Sequence, residues 1–350
     1  MLISQLPSVV LILFFLVASA AIWIAGVKIT NATDHITSHY QLGEAFGGMV
    51  FLAIVTNLPE IAITIAAAIR RDYVLAISNI LGGIAIQTVV LVIIDAFGVG
   101  RTAPLTAKGH SKILMIEGVA LIFILALVMM GKQFSPQFHF FRTTPFEWFI
   151  AGVWLGSIAF IDQLTKKKKP KHISADMQEE SALDHPHKPR KRFKGSVSAA
   201  FFVFGIGALV TLFCGWYLEL SSEILSQRYH ISGVIFGGTV LALSTGLPEI
   251  STGIASAKIK EYQMAVSDIF GGNAFLPVLF LMASLISGDA ILPDLQPSDM
   301  YLTGLGILLT GVYMIGMLIN SKKQFLRLGV DSIIVLLLYI LGLVGLFYLD

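Results

Sequence analysis

The stretch TNLPE, residues 56–60, interrupts an apolar run long enough to cross a bilayer. It sets an amide, a proline and a carboxylate where hydrocarbon disfavours all three. Proline has no N–H, so Pro59 leaves the carbonyl four residues back, that of Val55, without its helical donor. Backbone freed in this way persists at membrane depth only where it faces protein or a wet cavity. Glu60 follows in the first turn of the resumed helix, where the helix dipole favours a carboxylate. Almost the same phrase, TGLPE, returns at 245–249, so Pro248 frees the Ser244 carbonyl and Glu249 repeats the placement of Glu60.

The recurrence extends well beyond five residues. Residues 48–89 align with 237–278 without a gap, at a constant offset of 189, and close to half of the positions are identical. Thr56/Thr245, Pro59/Pro248, Glu60/Glu249, Ser78/Ser267 and Gly82-Gly83/Gly271-Gly272 fall in register. Shared hydrophobicity would match aliphatic residues; it does not align Pro-Glu and Gly-Gly pairs.

The chain has 350 residues, 55% hydrophobic and only 13% charged. Soluble domains carry about a quarter charged residues, so lipid is the expected solvent. Ten stretches approach the ~20 residues that a hydrocarbon core of about 30 Å demands. They lie near 8–28, 46–69, 73–98, 112–131, 146–164, 197–219, 233–257, 262–287, 300–319 and 329–348. The expected fold is an all-α integral membrane protein of ten transmembrane helices, built as two inverted five-helix repeats. VASA at 17–20 resembles a signal-peptide cleavage site, but no Lys or Arg precedes Lys28 and the apolar run is too long, so a retained span is expected. Cys214 is the single cysteine, which excludes an intrachain disulfide.

One hydrophilic stretch, 165–196, divides the chain into halves 1–164 and 197–350. It is basic at both ends, acidic in the middle and holds three prolines, a composition that reads as a flexible tether. Its Lys and Arg flank two spans, so they are topology signals rather than a nucleic-acid surface. With the tether cytoplasmic, five spans precede it and five follow, and the amino terminus faces outside. The remaining loops agree: nine Lys/Arg (Lys28, Arg101, Lys108, Lys112, Lys258, Lys260, Lys322, Lys323, Arg327) fall inside and five (Arg70, Arg71, Lys132, Arg142, Arg228) outside. The loop at 286–299, with three aspartates and no Lys or Arg, belongs outside. Five spans per half make equivalent helices run in opposite directions, the mark of a secondary transporter.

Two carboxylates, Glu60 and Glu249, with neutral oxygens of Thr56 and Thr245 beside them, make a hard-cation site at the midplane. Two negative charges balance one Ca²⁺, which takes about 6–8 oxygen ligands. Asn79 and Asp268 are equivalent positions, each after a serine (Ser78, Ser267) and three residues before Gly-Gly. An unpaired acid at the bilayer centre costs about 2.5–3.5 kcal/mol, so these acids are expected to be functional. Asn57, Ser78, Ser267 and Asn273 are further candidates to line the cavity; Asn273 and Gln87 either line it or bond across helices. Hydroxyls at Thr64, Ser251 and Thr252 are expected to bond back to their own backbone. Asp95, Glu219, Glu223 and Asp331 fall near span ends and are expected to reach water. No CxxC phrase is present, so no transition-metal site and no cofactor are expected.

At these residues the sequence resembles the cation/Ca²⁺ exchanger superfamily, the sodium/calcium exchanger-like antiporters. VTNLPE and STGLPE stand where that family has roughly G-T-S-x-P-E; SNILGGI and SDIFGGN stand where it has G-N-x-x-G-S-N. The resemblance implies an antiporter exchanging Ca²⁺ for Na⁺ or H⁺ by alternating access. It further implies Glu60 and Glu249 as principal ligands, with the Thr56 and Thr245 carbonyls, and Asn79 and Asp268 at flanking monovalent-ion or proton-linked positions. The family serine after each threonine, a Na⁺ ligand in sodium-coupled members, is Asn57 and Gly246 here. Proton coupling therefore competes with sodium coupling. The partners implied are membrane lipid and transported cations in a prokaryotic inner membrane, with a monomer sufficient for function. A passive channel or an intramembrane enzyme using paired acids are the competing classes, but no GxGD-type or DDxxD-type phrase is present.

Overall fold

The computed structural model describes residues 5–40, 51–100, 102–133, 142–167 and 195–349. Residues 48–50 of the first repeat and 168–194 of the tether lie outside these. The described residues are helical almost throughout. In order run α1 (Ser8–His39), α2 (Phe51–Thr56), α3 (Leu58–Arg70), α4 (Tyr73–Ile94), α5 (Leu105–Lys108), α6 (Lys112–Lys132) and α7 (Pro145–Lys167). After the tether come α8 (Val197–Tyr229), α9 (Gly233–Phe236), α10 (Ala242–Thr245), α11 (Leu247–Lys258), α12 (Tyr262–Phe275) and α13 (Val278–Ser287). The chain then forms α14 (Pro297–Ile319), a two-residue hairpin of β1 (Gln324–Phe325) and β2 (Leu328–Gly329), and α15 (Val330–Leu349). The hairpin pairs Gln324 with Gly329 and Phe325 with Leu328, antiparallel.

Seven of the described helical stretches are long and apolar enough to cross a membrane, and the pair Gly233–Thr245 and Leu247–Lys258, bent by 45°, makes an eighth. The two further spans expected at 46–69 and 146–164 correspond to α2 with α3 and to α7. The first is broken at Asn57 and described only from residue 51; the second carries Glu147 and Asp162 along its length.

Local chemistry sets several of the boundaries. Asp72 caps α4 by accepting from Leu75 N at 3.3 Å, and Ser196 caps α8 through Ala199 N. Arg71 ends α3 in the left-handed region at φ 59°. Two π-turns occur, Asp95–Val99 continuing α4 and Gly237–Leu241 leading into α10. Such turns shift helical register by one residue and gather near functional sites.

Apolar burial divides the molecule. The larger cluster joins α4, α6, α12, α14 and α15 through Ile80, Leu121, Phe270, Leu309 and Val335. A second belongs to α1 and α8, with Leu11, Phe15, Ile22, Leu218 and Leu225 packed over Ile63, Leu75 and Phe236. The long helices α1 and α8 thus pack on one another and lie against the remainder as a pair. Gly82 of α4 meets Gly238 of the second π-turn so closely that a Cβ at Gly82 would overlap backbone. Small residues permit this approach.

Candidate functional site

Both helix breaks fall at the repeated phrase. α2 stops at Thr56 and α3 begins at Leu58; α10 stops at Thr245 and α11 begins at Leu247. Each resumed helix holds proline second and glutamate third, so Glu60 and Glu249 enter from equivalent first turns. Both are buried, 0% and 2% exposed. The Thr245 side chain lies beside the Glu60 carboxyl, and Glu249 lies within electrostatic reach of both Glu60 and Asp268. The two acids, far apart in sequence, therefore face one centre.

Gln87 of α4 donates Nε2 to Glu60 Oε1 at 3.2 Å and reaches Asn57 Oδ1 at 3.5 Å. Among the described residues, Glu60 Oε2 and both carboxyl oxygens of Glu249 accept no hydrogen bond. Buried acceptors left in that state cost free energy and call for an ion or solvent partner. Three open carboxyl oxygens form a donor set suited to a hard cation.

The central helices add a second layer. Thr252 donates to Asp268 Oδ2 at 3.2 Å as well as to its own helix at Glu249 O, so its hydroxyl does more than the expected backbone bond. Asn79 is fully buried with neither amide atom hydrogen-bonded among the described residues. Asn273 donates to Ile84 O and Thr88 Oγ1, both at 3.3 Å. Ile84 is the position equivalent to Asn273 at the offset of 189. This contact brings equivalent positions of the two repeats together where α4 meets α12. Asn57 also sits at that crossing, its Nδ2 against Gly272.

Ser78 and Ser267 do not turn toward the glutamates. Ser267 donates to Glu117 Oε1 of α6 at 2.9 Å; Ser78 donates to Val74 O at 2.7 Å and to Asp299 Oδ1 of α14 at 3.3 Å. The serine of each repeat is thus held by an acid from the other half of the chain. The two serines expected as possible cavity-lining residues thus spend their hydroxyl protons on these partners.

Several acids expected to reach water are buried instead. Asp95 is 0% exposed and accepts from Leu105 N, Gly329 N and Ser332 Oγ at 2.7–2.8 Å. Glu219, also 0% exposed, pairs with Arg70 at 3.0 Å, and Glu223 pairs with the same guanidinium. Asp331 is 8% exposed. Asp299, read as an exterior loop aspartate, is buried and caps α14 by accepting from Gln296 N at 2.7 Å. Helix ends supply N–H donors and tertiary neighbours that a one-dimensional pattern does not display. Glu117 and Glu147 escaped the sequence reading, though each is an acid within or at the start of an apolar run, the signal that marked Glu60.

Comparison with known proteins assigns the chain to a family. The sodium/calcium exchanger protein family matches residues 10–166 and 199–348, most of both halves. The chain is 28% identical over 248 residues to the inner membrane protein YrbG of Escherichia coli K12, covering 70% of each chain. It is 20% identical over 334 residues to the sodium/calcium exchanger MaX1 of Methanosarcina acetivorans, covering 91% of this chain and 93% of that one. In fold it is similar to the sodium-calcium exchanger NCX_Mj soaked with Na⁺ and Sr²⁺, with TM-score 0.61 and 15% identity over 97% of this chain and 99% of that one. It is likewise similar to native YfkE, with TM-score 0.63 and 14% identity over 96% and 92%. The matched segments contain both broken helices and both glutamates, and the chain is a member of the sodium/calcium exchanger family of membrane antiporters.

Proposed function

We propose that this antiporter exchanges Ca²⁺ for Na⁺ or H⁺ across the membrane, holding the divalent ion between Glu60 and Glu249. The observation that carries the reading is the pair of buried carboxyls from mirrored helix breaks, with three oxygens that accept no hydrogen bond among the described residues. The Thr56 and Thr245 oxygens complete the cage in this reading, and Asp268 and Asn79 serve the counter-ion. Ten spans in two inverted halves carry the two glutamates to the midplane from opposite faces. Bound charge lowers the penalty of burying both acids, so the occluded state forms only when ions are aboard. The α1–α8 pair, with its own apolar cluster, slides against the remainder to open one face at a time.

One feature favours H⁺ over Na⁺ as counter-ion. Neither position after the repeat threonines supplies a hydroxyl: Gly246 has no side chain, and Asn57 is engaged with Gln87. Carboxylates that alternate between Ca²⁺ and protons suffice for exchange without a dedicated Na⁺ cage.

The test uses proteoliposomes carrying a Ca²⁺ indicator, with a Na⁺ gradient or a pH gradient imposed in turn. Uptake driven by one gradient and abolished in Glu60→Gln and in Glu249→Gln is expected. Normal exchange in both variants would overturn the ligand assignment; non-saturating uptake without any counter-ion gradient would indicate a channel.

A further inference from the structure

Two aspartates stand close together where α15 leaves the hairpin, and they differ in one respect. Asp95 is saturated by Leu105 N, Gly329 N and Ser332 Oγ. Asp331 is more than nine-tenths buried, yet its Oδ2 has no hydrogen-bond partner and no cation pairs with it among the described residues. A carboxylate buried in apolar surroundings without a donor is costly.

Asp331 lies in a groove of about 310 Å³ between the end of α14 and the start of α15. Thr106, Asp331 and Ser321 supply its polar side chains, the first two of them buried, and Val312, Ile315, Ile319 and Ile334 supply apolar walls. The floor is buried whereas Ile315, Ile319 and Ile334 are exposed, 56%, 68% and 41%. Gly316 admits the Asp331 side chain to the floor, because a side chain there would collide with Asp331 Oδ2. From Val312 to Ile319 the groove runs about 10 Å along the helix at 1.5 Å per residue. Its upper end is the helix terminus, the level of lipid headgroups; its lower end reaches acyl chains.

The adjoining hairpin carries complementary groups. Lys322, Lys323 and Arg327 are exposed beside the groove's mouth, and Phe325 and Leu326 at the tip are 66% and 80% exposed. Cations with exposed apolar residues at a span end suit an interface with lipid phosphates. An occupant with an ammonium, a phosphate and hydrocarbon would find a partner here for each: the carboxylate, the hairpin cations and the apolar walls.

We propose that this groove is a binding site for a phospholipid with a primary-amine headgroup, the ammonium donating to Asp331 and the phosphate facing Lys322, Lys323 and Arg327. The ethanolamine headgroup fits and choline does not, because a quaternary ammonium has no N–H to donate.

The experiment is native mass spectrometry of the full chain released from micelles holding equal amounts of dioleoyl phosphatidylethanolamine, phosphatidylcholine and phosphatidylglycerol. Wild type is expected to retain one phosphatidylethanolamine in roughly tenfold preference over phosphatidylcholine, about 1.4 kcal/mol. Asp331→Asn should bring the ratio near one. Equal retention by wild type would mean annular lipid only and overturn the proposal; preference for phosphatidylglycerol would assign the contact to the basic hairpin and overturn it too. Should Asp331→Asn fail to give monodisperse protein, Ile315→Trp blocks the groove from its exposed rim without touching the carboxylate. It should abolish the preference, and its retention would refute the site. The readout involves no ion movement, so this result stands apart from the exchange assay.

Discussion

Glu249→Gln is expected to stabilise the ion-free protein while removing its response to Ca²⁺. Both carboxyl oxygens of Glu249 lack hydrogen bonds, its side chain is 2% exposed, and Glu60 and Asp268 add like charge nearby. An acid in that setting costs about 2.5–3.5 kcal/mol on insertion scales. The amide retains shape and loses the charge, and it recovers part of that penalty, about 1–3 kcal/mol. At about 2 °C per kcal/mol for a chain of this size or somewhat smaller, the ion-free melting temperature should rise by roughly 2–6 °C. Ligand acts oppositely. Saturating Ca²⁺ at 100 times its Kd stabilises wild type by about 2.7 kcal/mol and leaves a chain that cannot bind unchanged. The two melting curves should therefore change order: variant above wild type in chelator, and level with or below it in Ca²⁺. Thermal unfolding in detergent, followed by loss of the monodisperse peak, measures both. A variant that melts lower in chelator yet still gains stability from Ca²⁺ would refute the reasoning, since Glu249 would then be a structural group and not a ligand.

Four further outcomes follow from the same geometry. Glu117→Gln keeps an acceptor for Ser267 and should leave stability within about 1 kcal/mol, whereas Glu117→Ala strands a buried hydroxyl and should cost about 1–3 kcal/mol; a double-mutant cycle with Ser267→Ala should give a coupling near 1 kcal/mol. Gly82→Leu forces atoms into the backbone of Gly238 and should cost about 3 kcal/mol or more, read as loss of monodisperse protein; Gly83→Ala, whose Cβ would stand 3.6 Å from Leu276 Cδ1, should be tolerated. Arg70→Gln leaves the buried Glu219 unpaired and should cost about 1–3 kcal/mol by thermal unfolding, with Glu219→Gln restoring most of it. Asn57→Ser with Gly246→Ser installs both missing hydroxyls and should raise the Na⁺-driven share of Ca²⁺ uptake in proteoliposomes; a Cβ at Gly246 would meet Ala242 O at 3.3 Å, close enough to need only a small adjustment.

The sequence alone determined the membrane setting, the helical class and the duplication, because these depend on composition, run length and register. A proline inside an apolar span has one local consequence, and the breaks at Asn57 and Gly246 fall where Pro59 and Pro248 require. It also marked the two glutamates, since each follows a proline inside an apolar run at the same place in both repeats. Tertiary structure decided which neutral groups serve those acids. Gln87 lies 27 residues beyond Glu60, yet helix packing brings its amide to the carboxyl; Ser78 and Ser267, adjacent to the expected site in sequence, point away to Asp299 and Glu117. Nor could the chain order reveal that Asp95 and Glu219 are buried, for their donors come from hundreds of residues away or from another helix. Run length and periodicity report what a residue needs from its solvent, whereas the partner that meets the need is chosen by packing in three dimensions.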